Sequence, residues 1–389
     1  MRQNNYPLHI FLFLVSVFTT LLAGAELATG HSFFYGTERL GFGDLAKGIS
    51  FSACFLLFLT VHEFGHYFTA MYHKVRCSLP FYIPIFIPFS PFNIGSFGAV
   101  IRIRQVPPSR RIYFDIGVAG PLAGFVVSLG LLVYGLMTLP PMESTVLAIH
   151  PEYQQMFGGV PSIEQIRTVQ VPVGVGSNLL FWIMTQILPM DRAQLPPAFE
   201  LMHYPVVFLG YLTCFFTALN LLPIGQLDGG HVTYGLFGRR IAGRVSRIAI
   251  LALLVMGGTG VMRLEAYDQN LFQDMFWYVV DQAGEMVLCI GLYGYVLSRL
   301  FKHLGWPKVL GLALALGGFQ FFFNLLLMPV ESNPIWLVYA FLAVRVLGVD
   351  HPEALDDEPL TLRQRLLGYL SMLIFVLCFS PSPLVLMGN

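Results

Sequence analysis

Charged side chains are scarce in this sequence. They make up 11% of its 389 residues, whereas about a quarter is usual for a soluble domain. Hydrophobic residues account for 56% of the chain, and the mean hydropathy is +0.67. The sequence therefore predicts an integral membrane protein. The formal net charge is zero, so the overall charge gives no indication of a nucleic-acid partner.

Cysteine is also scarce, and the five cysteines show no Cys-x-x-Cys spacing. Most of them lie within apolar runs, which argues against a disulfide framework and against a thiolate metal site. The sequence shows no internal repeat, and this disfavours a transporter built from repeated halves. The cysteines are Cys54, Cys77, Cys214, Cys289 and Cys378.

Long apolar runs fill most of the chain, and a membrane-spanning helix needs about 20 apolar residues. We interpret the N-terminal run as a retained first helix, although its small residues also fit a cleaved signal peptide. The sequence predicts an all-α polytopic membrane protein with about eight or nine transmembrane helices, the ninth being a short run at 335–349. The other predicted spans are 7–25, 48–72, 112–139, 203–223, 245–262, 285–303, 309–329 and 366–388.

Lysine and arginine are distributed unevenly between the segments that join the spans, and this asymmetry predicts the orientation. Basic residues dominate 73–111 and 239–247, whereas acidic residues dominate 140–202 and 263–285. We therefore expect the 73–111 segment to lie on the cytoplasmic side, or on the equivalent side of an organellar membrane. The 140–202 segment is then expected to lie outside.

Four prolines interrupt the apolar stretch that follows the second span, and they exclude a straight helix. The sequence "GSFGAVIRIR" after them has the pattern of a β-strand, so a short membrane-dipping β-hairpin or loop is predicted near 79–104. Irregular backbone at membrane depth is tolerated against protein or a water-filled cavity. This segment is therefore expected to line a site, and a hydrophobic loop on the bilayer surface is the alternative. The prolines are Pro80, Pro84, Pro88 and Pro91.

The second predicted span carries "HEFGH", in which His62 and His66 are four residues apart and project from one helix face. Two imidazoles in this arrangement bind zinc, and the carboxylate of Glu63 acts as a general base. Ionisable groups within a membrane are costly and usually mark function. The sequence therefore predicts one catalytic zinc ion here. The alternative is a polar cluster that joins helices by hydrogen bonds.

A catalytic zinc usually has three protein ligands and one open position, and Asp228 in "NLLPIGQLDGG" is the candidate for the third. It lies at the inner end of the 203–223 span, and the predicted topology brings it to a depth similar to that of the two histidines. Pro223 ends the helix, and Gly225 and Gly229 free the backbone to direct the carboxylate inward. An N-cap of the next helix is the alternative role for Asp228.

These motifs resemble the site-2 protease family of intramembrane zinc metalloproteases, peptidase family M50. "HEFGH" matches the zinc-binding helix of the family, and Asn220, Pro223, Asp228 and Gly229 match its later Asn-x-x-Pro-x-x-x-x-Asp-Gly motif. "GVAGPLAGF" is similar to the small-residue motif of the helix between them, and "GSFGAVI" resembles the family's membrane-dipping strand. The chain resembles a subgroup that lacks a PDZ domain.

The resemblance implies further roles. Asn220 would donate a hydrogen bond to the developing oxyanion, and a helix–helix hydrogen bond is its alternative role. A substrate transmembrane helix would partly unwind and add to the edge of the strand. The implied substrate-binding residues are Ser96, Phe97, Gly98, Ala99, Val100 and Ile101.

The predicted domains are an N-terminal transmembrane helix and outer loop (1–44), a catalytic core (45–235) and a C-terminal transmembrane bundle (236–389). The expected function is hydrolysis of a peptide bond in or near the transmembrane helix of a membrane-protein substrate. The expected location is a bacterial inner membrane or an equivalent organellar membrane, with the site toward the cytoplasmic side. The expected partners are the bilayer and that substrate, and the sequence gives no oligomeric state.

Two other functions are compatible with the sequence: an inactive protease-like scaffold in the membrane, and, less favoured, a metal transporter. Six other histidines look isolated, because no spacing in the sequence indicates that they are ligands. They are His9, His31, His150, His203, His303 and His351.

Overall fold

The computed structural model of the chain describes residues 5–34, 39–87, 93–169, 173–259, 261–262, 275–326 and 333–386. The helices are α1 (Tyr6–Thr29), α2 (Ile49–Tyr72), α3 (Arg110–Met137), α4 (Met142–Ile149), α5 (Glu152–Phe157), α6 (Ile163–Arg167), α7 (Leu179–Ile187), α8 (Pro205–Asn220), α9 (Asp228–Gly258), α10 (Met275–Leu300), α11 (Trp306–Leu326), α12 (Ile335–Leu342) and α13 (Leu362–Cys378). The strands are β1 (Phe81–Pro84), β2 (Ser96–Val100), β3 (Val173–Val175) and β4 (Leu384–Leu386).

Within the described residues, six helical segments are long and apolar enough to cross a membrane. Two shorter apolar segments, Pro205–Asn220 and Ile335–Leu347, accompany them. The predicted polytopic, mainly α-helical fold is therefore confirmed. The six long segments are Tyr6–Thr29, Phe42–Tyr72, Arg110–Met137, Asp228–Gly258, Gln282–Leu300 and Trp306–Leu326.

The bounds of several predicted spans differ in the structure, and in two of them the difference changes the element that the residues form. The span predicted at 366–388 is wrong beyond Cys378, because the chain becomes extended at Phe379 and continues through two prolines that cannot prolong a helix. Its last described residues instead form β4, which pairs antiparallel with β3. The span predicted at 245–262 belongs to the longer helix α9, which is interrupted at Gly238, where φ is 75°.

The chain forms two compact units. The first comprises residues 1–221 and 354–389, and the second comprises residues 222–353. The bounds of the predicted domains 1–44, 45–235 and 236–389 depend on the positions of the sequence motifs, and these domains stay a prediction.

Small residues bring the central helices of the first unit close together. A Cβ atom placed on Gly65 of α2 would lie 2.8 Å from the carbonyl oxygen of Ala119 in α3. Likewise, a Cβ on Gly210 of α8 would lie 2.6 Å from the Cα of Leu132 in α3. Helices in membranes associate through this kind of close backbone contact. The α2, α3 and α8 helices therefore form a tightly packed group with α3 at its centre.

The predicted hairpin is confirmed: β1 and β2 pair antiparallel, with Phe81 opposite Val100 and Tyr82 opposite Ala99. Residues 88–92, which include two of its prolines, lie outside the described residues. Side chains of α1 and α2 fix the hairpin. The Thr19 hydroxyl donates to the carbonyl of Gly95 at 2.6 Å, and the Thr60 and Tyr82 hydroxyls share a hydrogen bond of 2.7 Å. The strands are thus held beside the helix that carries the His-Glu motif.

Residues 142–169 form the short helices α4, α5 and α6 around a small core of their own. Met142, Val146, Tyr153 and Ile166 are buried together there. The chain returns to the membrane-spanning part of the unit at Pro205, where α8 begins.

Polar side chains join the helices of the second unit. The Tyr293 hydroxyl of α10 donates to Oε1 of Gln320 in α11 at 2.6 Å. The Gln320 amide in turn donates to the carbonyl of Val255 in α9 at 3.1 Å. Each of these buried groups has a partner, as an apolar environment requires.

Candidate metal centre

His62 and His66 lie on one face of α2, as their four-residue spacing predicts. Both are buried, with 4% and 6% of their surface exposed. Their Nε2 atoms lie 3.2 Å apart. The structure therefore brings the two predicted ligand atoms together in a protected part of the first unit.

The backbone of α3 orients one of these imidazoles. Nδ1 of His66 donates a hydrogen bond to the carbonyl oxygen of Ile116 at 2.7 Å. Because a carbonyl only accepts, the proton of a neutral ring is on Nδ1, and the lone pair of Nε2 points toward His62. Metal-binding histidines are commonly oriented by a carbonyl in this way.

Two glycines of α3 make room for the imidazoles. A Cβ on Gly120 would lie 2.1 Å from Nε2 of His66, and one on Gly124 would lie 3.1 Å from Nδ1 of His62. The "GVAGPLAGF" motif thus has a direct steric role: without a side chain at position 120, the His66 ring rests against the α3 backbone.

Glu63 lies beside the histidines. Its side chain is buried, with 7% of the residue surface exposed, and its Oε1 atom is 4.0 Å from Nε2 of His62. A carboxylate at this distance is near enough to share a water molecule with the ligand atoms. This position fits the predicted general base.

Asn220 is the last residue of α8, and its Nδ2 atom lies 3.5 Å from Nε2 of His62. The residue that matches the later family motif therefore reaches the histidine pair within the first unit. The alternative role of Asn220, a hydrogen bond between helices, would use the same contact between Asn220 in α8 and His62 in α2.

Asp228 belongs to the second unit, where it is the first residue of α9. Leu227 is extended and occupies the N-cap position, so the alternative role of Asp228 as an N-cap is wrong. As an acid in the first turn, Asp228 instead interacts favourably with the helix dipole. Its role as third ligand stays a prediction.

The predicted substrate strand is β2. Ser96 and Ala99 are buried, whereas Phe97 and Val100 are exposed. One edge of β2 pairs with β1, and no other strand pairs with it within the described ranges. Gly98 has a φ of 108°, a conformation that residues with a side chain rarely adopt. Contact of Ser96, Phe97, Gly98, Ala99, Val100 and Ile101 with a substrate stays a prediction.

Comparison with models of protein families assigns the chain to one family. The family model described as peptidase family M50 matches residues 50–258, which is more than half of the chain. The chain belongs to peptidase family M50. This confirms the resemblance that the motifs predict, and the many apolar helices make this family member a multi-pass membrane protein.

Curated relatives of this M50 member are plant proteins. The chain is 33% identical over 202 residues to "Probable zinc metalloprotease EGY1, chloroplastic" of Arabidopsis thaliana, covering 51% of this chain and 32% of that protein. It is 27% identical over 271 residues to "Probable zinc metalloprotease EGY2, chloroplastic" of Oryza sativa subsp. indica, covering 68% and 40%. The chain thus spans well under half the length of these relatives. No solved structure matches it.

The histidine pair of this M50 member fits a zinc ion. Two nitrogen ligands of a tetrahedral zinc, each bound at about 2.0–2.1 Å, are separated by about 3.3 Å, and the two Nε2 atoms are 3.2 Å apart. Neutral imidazole is a ligand that zinc favours. Sequence reasoning missed the carbonyl of Ile116, because a backbone atom that orients a ligand carries no residue signature.

Proposed function

We propose that the chain is an intramembrane zinc endopeptidase, which hydrolyses a peptide bond in or near the transmembrane helix of a membrane-protein substrate. The observation that supports this proposal most directly is the pair of Nε2 atoms 3.2 Å apart with a buried glutamate beside them. Membership of peptidase family M50 supports the same activity.

His62, His66 and Asp228 would hold one zinc ion. When bound, the zinc supplies Lewis acidity, which activates water at neutral pH and polarises a peptide carbonyl. His62 and His66 contribute their Nε2 lone pairs, and the Ile116 carbonyl holds the His66 ring in the required tautomer. Asp228 contributes a carboxylate, which adds negative charge to the ligand set.

Glu63 would move the proton. Its carboxylate accepts a proton from the attacking water and delivers it to the amine that leaves. The amide of Asn220 donates a hydrogen bond to the substrate oxygen, on which negative charge develops. Such a donor is most effective where water is excluded, and the burial of the neighbouring His62 and Glu63 indicates this environment.

A transmembrane substrate must unwind locally before its peptide bond is accessible, because the carbonyls of a helix are engaged in their own hydrogen bonds. The edge of β2 offers backbone hydrogen bonds to an extended segment, whatever its side chains. The exposed Phe97 and Val100 side chains offer it apolar contacts. The partners in this proposal are the lipid bilayer and a membrane-protein substrate, without nucleic acid.

The charge distribution supports the predicted orientation. Lys74, Arg76, Arg102 and Arg104 follow the His-Glu helix along the chain, and basic residues near span ends favour the cytoplasmic side. We propose that the site opens toward the cytoplasm of a bacterial cell, or toward the equivalent side of an organellar membrane.

Cleavage of model substrates by the purified protein tests the proposal. Single-span substrates reconstituted with the chain should be cleaved, and a chelator should stop the reaction until zinc is restored. Glu63→Gln keeps the size of the side chain but removes its basicity, so cleavage should cease while zinc remains bound.

Cleavage by Glu63→Gln near the wild-type rate would remove Glu63 as the base. Absence of cleavage for every substrate would favour the inactive scaffold. Transport of zinc into vesicles along a gradient would favour the metal transporter.

A further inference from the structure

A second cluster of metal-ligand side chains lies outside the membrane-spanning helices. It consists of His150 at the end of α4, together with Glu200 and His203, which precede α8. All three belong to the first unit, and each offers one ligand atom within 4.8 Å of the other two. None of them is part of the His62 and His66 pair.

Hydrogen bonds fix the direction in which both imidazoles face. Nδ1 of His203 donates to the carbonyl oxygen of Leu27 at 2.6 Å, and Nδ1 of His150 donates to the carboxylate of Glu152 at 2.9 Å. Since both acceptors can only accept, a neutral ring in either position has its proton on Nδ1. The Nε2 lone pairs of the two rings therefore face each other at 3.3 Å.

Glu200 points into the same space. Only 1% of its surface is exposed. Oε1 accepts a hydrogen bond from the Tyr153 hydroxyl at 3.1 Å, but the buried Oε2 atom has no hydrogen-bond partner. Oε2 lies 3.9 Å from Nε2 of both His150 and His203. A buried carboxylate oxygen without a partner is costly. Oε2 and the two Nε2 atoms therefore surround a space in which a cation would be stabilised.

The distances fit a transition-metal ion. A triangle with sides of 3.3, 3.9 and 3.9 Å has its centre about 2.2 Å from each corner, close to zinc–nitrogen and zinc–oxygen bond lengths of about 2.0–2.2 Å. An ion at this point would lie at bonding distance from all three ligand atoms.

We propose that His150, Glu200 and His203 bind a divalent zinc ion at a second site, separate from the catalytic centre. Two imidazoles and one carboxylate form a donor set that zinc favours, and three protein ligands leave a fourth position for water. The carboxylate of Glu152 and the carbonyl of Leu27 orient the two rings, as partners of metal-bound histidines commonly do. His150 is partly exposed, so the ion can enter from solvent.

The ion would join three parts of the first unit. His203 connects the site to α1 through Leu27, His150 ends α4, and Glu200 lies just before α8. Binding to the folded protein alone stabilises it by mass action. The 140–203 segment should therefore resist unfolding and proteolysis better with zinc than without it.

Zinc content measured by mass spectrometry on the full-length protein in detergent tests the proposal. After loading with zinc and desalting, the wild type should hold two equivalents. Glu200→Gln, which removes the charge and little else, should lose one, and so should His150→Gln. Glu164→Gln is the matched control, since Glu164 is an exposed acid of the same segment, and it should keep two.

The His62→Ala, His66→Ala double variant separates this site from the proposed function. It should still hold one equivalent, and zinc should raise its unfolding temperature, whether or not the wild type cleaves any substrate. Zinc absent from this double variant would overturn the proposal. A wild type that holds a single equivalent of zinc, which the double variant loses, would also overturn the proposal. The three side chains of the cluster would then share a proton instead of binding a metal ion.

Discussion

Replacement of Gly120 by alanine tests the contact that places His66 against α3. The new Cβ would lie 2.1 Å from Nε2 of His66, 2.4 Å from Cε1 and 2.5 Å from Cδ2. All three distances are at least 0.9 Å short of the roughly 3.4 Å at which ordinary contacts begin. The imidazole or the helix backbone must therefore move by about 1 Å.

A shift of this size should remove His66 from the metal. Ligand distances in metal sites vary by only about 0.2 Å, and a misplacement of about 1 Å in an active site can lower the rate about 100-fold. We expect Gly120→Ala to lose most of its catalytic zinc and at least 99% of its cleavage rate. Introducing a methylene into a packed core also costs about 1–3 kcal/mol, so the free energy of unfolding should fall as well.

Two other glycines of α3 provide graded controls. A Cβ on Gly130 meets nothing within 4 Å, and a Cβ on Gly124 approaches the Cε2 atom of Phe58 at 3.0 Å and Nδ1 of His62 at 3.1 Å. Gly130→Ala should behave like the wild type, and Gly124→Ala should show a partial loss of zinc. Zinc content and cleavage are measured in the Glu200→Gln background. This variant lacks the second zinc site, so the zinc that is counted is the catalytic ion. Normal zinc content in Gly120→Ala would refute the steric reasoning.

Three further substitutions test separate parts of the catalytic centre. Asp228→Asn should lower the catalytic zinc content in the Glu200→Gln background, and an unchanged content would mean that another residue is the third ligand. Asn220→Ala should lower kcat by about 100- to 1000-fold, the usual cost of an oxyanion donor, while zinc remains bound; an unchanged kcat would leave Asn220 with a packing role only. Gly98→Ala should raise KM without loss of zinc, because its φ of 108° disfavours a side chain and β2 must distort. Equal KM values would argue against substrate binding at β2.

The local features of the fold could be predicted from the sequence because each depends on neighbouring residues. A four-residue spacing places His62 and His66 on one helix face, and closely spaced prolines exclude a helix between α2 and α3. The same reasoning failed at the C-terminus, where hydropathy alone extended a span to residue 388. Pro381 and Pro383 end the helical conformation there, so that β4 forms instead.

Contacts between distant parts of the chain could not be predicted. His150 and His203 are 53 residues apart, and their approach depends on how α4 and α5 pack together through Met142, Val146 and Tyr153. The expectation that both histidines are isolated is therefore wrong. His351 was also expected to be isolated, but its Nε2 atom lies 2.6 Å from Nδ1 of His231 within the second unit.

The two histidine clusters of the first unit share one structural device. In each, a main-chain carbonyl from another helix accepts the Nδ1 proton of a histidine: Ile116 for His66 and Leu27 for His203. Each carbonyl fixes a tautomer, and each therefore determines where a lone pair points. Any residue at positions 27 or 116 would supply the same oxygen, so the side chains there carry no information about the site. A sequence search for metal sites thus finds ligands that are close neighbours in one helix, such as His62 and His66, whereas ligands that are distant in the sequence, such as His150 and His203, require the folded structure.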